Sequence, residues 1–327
     1  MAVNLLDIAK ANGSDAVVGL IEETTKLVPE LTIVPARTIR GIHYKTLIRT
    51  ALPTTNGAFR SANAGSAYVQ GSYENRIVET YTSEARWYAD KAVADRYEDG
   101  AQAYIAMEAN GVMQGVMQGL GAQFFYGTGT GGNSSGFPGL LQALDTSSTI
   151  DGASGGMVVD AGGTTASTGS SVWAVRFGPQ DVQWVWGANG QFNLSDLRTE
   201  SMEDTVTAGR YFDAYVQTLL SYPGLQVGSI QSIGRIKKLT ADSGKGLTDS
   251  LLADLWAKFP AAKKPNVFFA SRRSAMQLRK SRTVVLNATG ENSKSGRVDV
   301  MPQGDLYFNG IPIIETDSIL NTEALTL

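Results

Sequence analysis

Three glycine-rich strings have the spacing of catalytic or ligand-binding loops. Gly127-Thr128-Gly129-Thr130-Gly131-Gly132 satisfies G-x-G-x-x-G. The dinucleotide fingerprint requires a strand before that string and a helix after it, so that N–H groups at the helix start meet the pyrophosphate. Here a helical pattern precedes it and a loop follows, and in a chain with 36 glycines a chance match is expected. Gly132-Asn133-Ser134-Ser135-Gly136 and Gly152-Ala153-Ser154-Gly155-Gly156 both match the G-x-S-x-G nucleophile elbow. An elbow serine needs a histidine base later in the chain, and the only histidine, His43, comes well before both. His43 itself, between Ile42 and Tyr44, reads as a hydrogen-bonded structural imidazole at a strand start.

The rest of the chemical inventory is sparse. With no cysteine there is no disulfide, thiolate-bound zinc or cysteine nucleophile, and one histidine excludes H-E-x-x-H. Trp173, Trp184 and Trp186 lie at period two in strand patterns and read as core or interface rather than a sugar platform. Asn12, Asn133, Asn193 and Asn287 begin N-x-S/T sequons, which carry little meaning without a secretory signal. No spacing favours a pair of catalytic carboxylates, whose separation is a three-dimensional property. No cofactor and no metal site are expected.

Charge is the more informative chemistry. The net charge is only −3, yet residues 235–297 hold fourteen Lys/Arg against four Asp/Glu, a local +10 beside −13 elsewhere. Clustered basic residues are the usual footprint of polyanion contact, and equally of pairing between unlike surfaces of a self-associating chain. No aromatic residues are interleaved at stacking spacing, so DNA contact would be nonspecific. Arg272, Arg273, Arg279 and Lys280, on a predicted basic helix, are the candidates for a DNA-facing or inter-subunit block.

These residues must be positioned by the following elements. Residues 1–45 read as a polar, partly helical arm, with helices over 7–11 and 15–28. From residue 44 to about 90, Thr46-Leu47-Ile48-Arg49-Thr50 and Arg76-Ile77-Val78-Glu79-Thr80-Tyr81 alternate around a Gly/Ser/Asn/Ala-rich stretch, which predicts a long two-stranded excursion. Such a hairpin is marginal alone and reaches for a neighbouring subunit. Arg49, Phe59, Arg60 and Arg76 are its inter-subunit contact candidates. Residues 95–126 predict the longest helix, with Ile105, Val112, Val116, Leu120 and Phe124 on one stripe. Gly111, Gly115 and Gly119 recur on an adjacent face. Each glycine costs roughly 1 kcal/mol against alanine in a helix, so three on one line predict close backbone approach by another element.

In residues 127–171, 27 of 45 are Gly, Ser or Thr, with apolar islands at 137–144 and 157–159. Strand patterns follow over 171–236, then a helix at 248–259 stopped by Pro260, a basic helix at 271–282, and a hairpin at 306–314 turning on Asn309-Gly310. At 327 residues the chain is one large domain or two. Its 18% charged content lies below the usual ~25%. No signal peptide and no run of about 18 apolar residues is present, so a cytoplasmically folded chain with no membrane partner is expected.

This order resembles the major capsid protein of tailed bacteriophages, which has the Hong Kong 97-type fold. Leu52-Pro53 through Phe59-Arg60 and Asn63-Ala64-Gly65, with Trp87 and Asp90 following, look like its extended loop and return. Phe125-Tyr126-Gly127-Thr128-Gly129 with Phe137-Pro138-Gly139-Leu140 is similar to the turn after its spine helix. The strings Ser171-Val172-Trp173-Ala174-Val175-Arg176-Phe177-Gly178, Gly224-Leu225-Gln226-Val227 and Phe308-Asn309-Gly310-Ile311-Pro312-Ile313 also look like this group. The resemblance covers nearly the whole chain.

It implies an α+β fold, permuted in places, with an N-terminal arm (1–43), an extended β-hairpin loop (44–90), a peripheral domain with the spine helix and closing strands (91–145 and 296–327) and a β-rich axial domain (146–295). It further implies a subunit with no enzymatic role, forming hexamers and pentamers of an icosahedral shell around packaged double-stranded DNA. That shell would be assembled in the host bacterial cytoplasm and reside in the virion. Portal and scaffolding proteins, and in some cases a decoration or cement protein, are the implied partners. The short arm suggests that scaffolding comes from a separate protein. Two other classes fit the residues: a different self-assembling protein, such as a tail-tube or surface-layer subunit, and a β-rich hydrolase using only carboxylates.

Overall fold

The computed structural model describes residues 23–53, 59–65, 68–144, 156–204, 209–282 and 306–325. In chain order the elements are α1 (Glu30–Ile33), β1 (Ala36–Thr38), β2 (His43–Ala51), β3 (Ser72–Glu79), β4 (Ser83–Asp90), α2 (Lys91–Ala94) and α3 (Ala101–Tyr126). Next come α4 (Leu140–Ala143), β5 (Val158–Asp160), β6 (Ser170–Val175), β7 (Val182–Trp186), β8 (Phe192–Leu194), β9 (Arg198–Glu203), β10 (Tyr211–Ser221) and β11 (Pro223–Val227). The last are β12 (Ile233–Leu239), α5 (Asp249–Lys258), β13 (Val267–Ala270), α6 (Arg272–Ser281), β14 (Leu306–Phe308) and β15 (Ile311–Glu315).

Helix α3 is the spine, and it joins two cores. Its C-terminal turns bury Leu120, Phe124, Phe125 and Tyr126 against the strands that follow. Phe125 meets Phe269 of β13 at 5.6 Å and Trp173 of β6 at 6.1 Å between ring centroids, while Phe124 meets Trp184 of β7 at 5.2 Å. Offset and edge-on aromatic pairs at these distances add to the burial of large apolar area. Its N-terminal turns form a smaller core, in which Tyr104 packs with Ala89 of β4, Ala94 of α2 and Tyr215 of β10. The helix begins later than the predicted residue 95, because Gly100 takes a φ of 89° and residues 95–100 close as turns.

The described residues form four sheets. The largest runs β14-β15-β13-β6-β12-β5, with β15 parallel to β13, β12 parallel to β5, and the other pairs antiparallel. The closing hairpin turns on Asn309 and Gly310, whose φ values of 50° and 78° are the left-handed pair that a two-residue turn needs. A three-stranded sheet runs β1-β7-β11, a third is centred on β10 between β4 on one side and β8 and β9 on the other, and β2 pairs only with β3. These pairings cross the expected division of the chain. Residues 306–315 belong to the sheet that also holds β5, β6, β12 and β13, and Ala214–Ser221 of β10 pair with β4, ahead of the spine. Hydrophobic alternation marks a strand but not its partner, and partner choice is what the division depended on.

Two further expectations are corrected. Residues 23–28 are not helical, although the apolar spacing over 15–28 suggested a helix; the portion over 1–22, including 7–11, lies outside the described residues. Among the described residues Gly111, Gly115 and Gly119 meet no other element, since a Cβ built on any of them has none of their atoms within 4 Å. The close approach occurs two residues beyond Gly119, on a different face, at Gly121, where a Cβ would collide with Ser318 and come within 2.5 Å of Glu30 Oε1 and Val28 Cγ1.

Candidate assembly surface

The β2–β3 hairpin has two faces because its side chains alternate. The register runs from His43 opposite Glu79 to Arg49 opposite Tyr73, with an irregularity before Ala51 and Ser72. The even-numbered face turns toward the body. Arg76 Nη1 donates to Val227 O at 3.0 Å, and the Tyr44 hydroxyl, its pKa raised by burial, donates to Gln226 Oε1. That oxygen also accepts from Gln183 Nε2 at 2.6 Å. Gly224 lets β11 lie so close to Glu79 that any Cβ would strike the Glu79 carbonyl. The hairpin is thus anchored at its base, and a cleft of about 720 Å³ separates its outer part from Gln180, Gln231 and Lys263.

The odd-numbered face has no such cover. Leu47, Tyr73 and Ile77 are more than half exposed, and beyond the strands Leu52, Phe59 and Tyr68 are exposed too. Large exposed apolar side chains gathered on one strand face, here interleaved with Lys45, Arg49 and Asn75, are the kind of surface that protein–protein contacts use. Arg49 stacks over the Tyr73 ring at 5.3 Å and donates to its hydroxyl at 3.2 Å, which holds both side chains flat on this face. Arg60 Nη1 donates to Ala64 O at 2.7 Å and fixes a local turn. Of the four candidates on this loop, Arg49 and Phe59 therefore present outward, Arg60 is engaged locally and Arg76 faces the body.

The basic residues of α6 are scattered in role. The Ser271 hydroxyl caps the helix by accepting from the Ser274 amide. Arg272 pairs with Asp317 at 2.8 Å and Arg279 with Glu315 at 3.3 Å. Arg273 donates to the carbonyls of Asn321, Thr168 and Leu239. Burial lowers its pKa, with the Glu323 charge opposing that shift. Lys280 is exposed, and with Arg272 and Met276 it borders a groove of about 1010 Å³. Arg235, the first residue of the basic block, is buried.

Residues singled out as chemical look-alikes have structural roles here. The 127–136 loop is filled by glutamines of the flanking helices: Gln142 Nε2 of α4 donates to Tyr126 O at 2.9 Å, and Gln123 Nε2 of α3 donates to Phe137 O at 2.7 Å and to Asn133 O at 3.1 Å. Trp173 and Trp184 are buried core residues; His43 stands at the start of β2 as expected, but it is exposed there rather than held as a hydrogen-bonded structural imidazole. Among the described residues no three His, Cys, Asp or Glu side chains are grouped to hold a metal, and no helix is long and apolar enough to cross a membrane.

Sequence reasoning missed two buried carboxylates that organise the termini of the fold. Glu323 accepts from Tyr126, Ser171 and Arg235, and Glu30 lies under Thr316 against the spine. Burial, then the Glu323 charge, push the Tyr126 hydroxyl far above the ordinary phenol range, so it remains a donor. No local pattern marks either acid, because each of these contacts joins residues far apart in the chain.

A two-core spine helix, a β-rich section closed by a terminal hairpin, and an anchored excursion with an uncovered apolar face define a shell-building subunit of the Hong Kong 97-type fold. The solved capsid of bacteriophage Epsilon15 is similar over 99% of this chain and 97% of that one, with a TM-score of 0.74 at 23% identity. Weaker likenesses include the capsid of an empty gene-transfer-agent (GTA) particle, with a TM-score of 0.43, 10% identity, and 72% and 99% of the two chains covered. Another is the encapsulin of Synechococcus elongatus PCC 7942, with a TM-score of 0.44, 9% identity, and 72% and 94% covered. No curated protein matches the chain. Residues 10–326 match the family described as Major capsid protein GP7, and the chain belongs to that family. It is a capsid protein that forms the shell of a phage particle.

Proposed function

We propose that this capsid subunit assembles as hexamers and pentamers of an icosahedral shell enclosing double-stranded DNA, and that the β2–β3 hairpin lies across a neighbouring subunit. The observation that carries this reading is the uncovered face of Leu47, Tyr73 and Ile77 on a hairpin fastened to its own body only at the base. Burying each such side chain is worth roughly 1.5–3 kcal/mol. That is weak for one contact but sufficient when repeated around a closed lattice, and it leaves room for correction during assembly.

The role is architectural, with no reaction assigned. Assembly takes place in the host cytoplasm with a portal, a scaffolding protein and, in the finished virion, a decoration protein as partners. DNA contact is nonspecific and falls to exposed cations such as Lys280, whereas Arg279 serves within the subunit. The test is electron microscopy of the full chain expressed with and without residues 54–72. Closed shells with five- and six-fold vertices from the full chain, and folded unassembled subunits from the deletion, are expected. Tubes or flat sheets from the full chain, or normal shells from the deletion, would overturn the reading.

A further inference from the structure

Glu30 is completely buried, and its carboxyl faces hydroxyls rather than a cation. Thr316 Oγ1 donates to Oε2 at 3.0 Å, while Oε1 and the nearby Ser318 hydroxyl, both converging on Gly121, have no hydrogen-bond partner. The charged group that faces it is Asp317, of like sign, itself paired with Arg272. From the other elements packed around it, α3 presents Gly121 and β7 presents the Trp184 indole, which donates to the Glu30 carbonyl at 3.1 Å. Among the described residues no lysine or arginine lies within ion-pair distance of Glu30.

The segment around Glu30 is the point where the arm is fastened to the body. Leu27 N donates to Asp317 Oδ2 at 3.0 Å, and Asp317 N donates to Leu27 O at 3.0 Å. Gln118 of the spine reaches Thr24 O at 3.2 Å. Apart from these polar contacts, what holds residues 27–34 in place is the fit of Glu30, Val28 and Val34 into the cleft between the spine and the C-terminal segment.

We infer that Glu30 is an ionisable latch, holding residues 27–34 against the spine while its carboxyl is neutral and loosening them when it ionises. A neutral carboxyl carries no charge to desolvate and can stay buried with Thr316 as its donor. An ionised one is a buried charge beside another negative group, and its desolvation is offset only by hydroxyl donors. Burial, opposed by those donors, raises the pKa of Glu30 above its ordinary value. Because the folded-state pKa is raised, the latch is at full strength below the ordinary carboxylate pKa of about 4.3 and weakens as pH climbs through the raised value. The arm would be fastened at low pH and freed as pH rises, when it could reach other subunits.

The test is hydrogen exchange of the full chain across pH, followed on the peptide covering residues 27–34 and corrected for the intrinsic exchange rate. Protection in the wild type should fall at least tenfold as pH rises, while Glu30→Gln, which keeps shape but cannot ionise, stays level. Thr316→Val removes a donor that favours the charged form, so its loss of protection should move to higher pH. Wild-type protection that is level across pH, or that falls in parallel with Glu30→Gln, would overturn the latch. Should Glu30→Gln fail to fold, a Thr316→Val midpoint unchanged from the wild type would overturn it equally.

Discussion

Arg235 on β12 and Glu323 in the C-terminal segment form an ion pair, Nη2 to Oε2 at 3.0 Å, with both side chains almost wholly withdrawn from solvent. Arg235 Nε donates to Ser171 at 2.9 Å, the guanidinium stacks on Trp173 at 5.2 Å, and the Tyr126 hydroxyl donates to Glu323 while accepting from Leu320 N at 2.8 Å. One acid therefore ties together the end of the spine, two strands of the large sheet and the last residues of the fold.

Breaking that pair from one side leaves an unpaired buried charge. Glu323→Gln is expected to lower the unfolding free energy by about 3–5 kcal/mol. Tyr126→Phe, which leaves the Leu320 amide without its acceptor, should cost about 1–3 kcal/mol. Denaturant unfolding of the unassembled subunit measures both. Adding Arg235→Met to Glu323→Gln should recover part of the loss, since the uncompensated charge is then gone. A double variant no better than the single one would mean the network is not a unit.

Glycines of the spine should respond in opposite directions. Gly121→Ala drives a methyl into Ser318, Glu30 and Val28, and overpacking of this kind costs about 1–3 kcal/mol. Gly115→Ala meets none of the described residues and should stabilise the free subunit by about 0.5–1 kcal/mol through helix propensity alone. Thermal unfolding of the two variants beside the wild type gives the comparison. Destabilisation by Gly115→Ala would mean that this face is covered within the subunit.

Asp242 should give an acid-side effect. The hydroxyls of Thr165 and Thr240, with the backbone N–H groups of Thr164 and Thr165, donate to its carboxylate and hold its pKa below the ordinary value. With a lowered folded-state pKa, its contribution is present above the ordinary carboxylate pKa of about 3.9 and disappears as pH falls through the lowered value. The stability difference between wild type and Asp242→Asn should therefore be constant from neutral pH down to mildly acidic conditions and shrink below that. A gap that persists in strong acid would assign the effect to packing.

Much of this architecture is legible in the residues, and the illegible parts share a cause. Thr248 before an apolar helical stripe and Pro260 after it delimit α5, and Asn309-Gly310 delimits the closing hairpin, because caps and turns are written within a few positions. The alternation around 44–50 and 76–81 likewise reveals β2 and β3 as strands. That β15 lies beside β13, or that β4 pairs with β10 more than a hundred residues later, is settled by sheet packing and leaves no local trace. The glycine line at 111–119 shows the complementary limit. Helical spacing reveals that three glycines share a face, but it does not say whether that face meets the chain itself, a neighbour or water.

The basic helix separates structural from exposed cations. Arg279 pairs with Glu315 and has a buried Nε, so Arg279→Gln should lower the thermal midpoint of the subunit. Lys280→Gln should leave that midpoint unchanged and weaken retention of DNA as salt is raised, lowering the salt slope by about one for each phosphate no longer neutralised. Neutralising α6 as a whole would mix the two effects, which is why the single substitutions are the informative ones.

The hairpin makes the sharpest demand, because its two faces predict different failures. Arg76→Ala cuts the bond from the hairpin to Val227 O, on the inward face, and should loosen the base of the excursion without changing its outer surface. Ile77→Asp, one position along, places a carboxylate on the outward face beside Leu47 and Tyr73, where the residue is half exposed and little of the subunit's own packing depends on it. Its unfolding free energy should stay within about 0.5 kcal/mol of the wild type, as for most surface changes. Buried against a neighbour, however, the same carboxylate, opposite Lys45 in the register, is a desolvated charge repeated at every copy, and its cost at each interface abolishes a lattice built from weak contacts. Sedimentation should then show a folded subunit that forms no large particles. Normal shells from Ile77→Asp would place the apolar strip on free surface of the assembled particle, and the neighbour-spanning role would pass to the residues beyond Leu52.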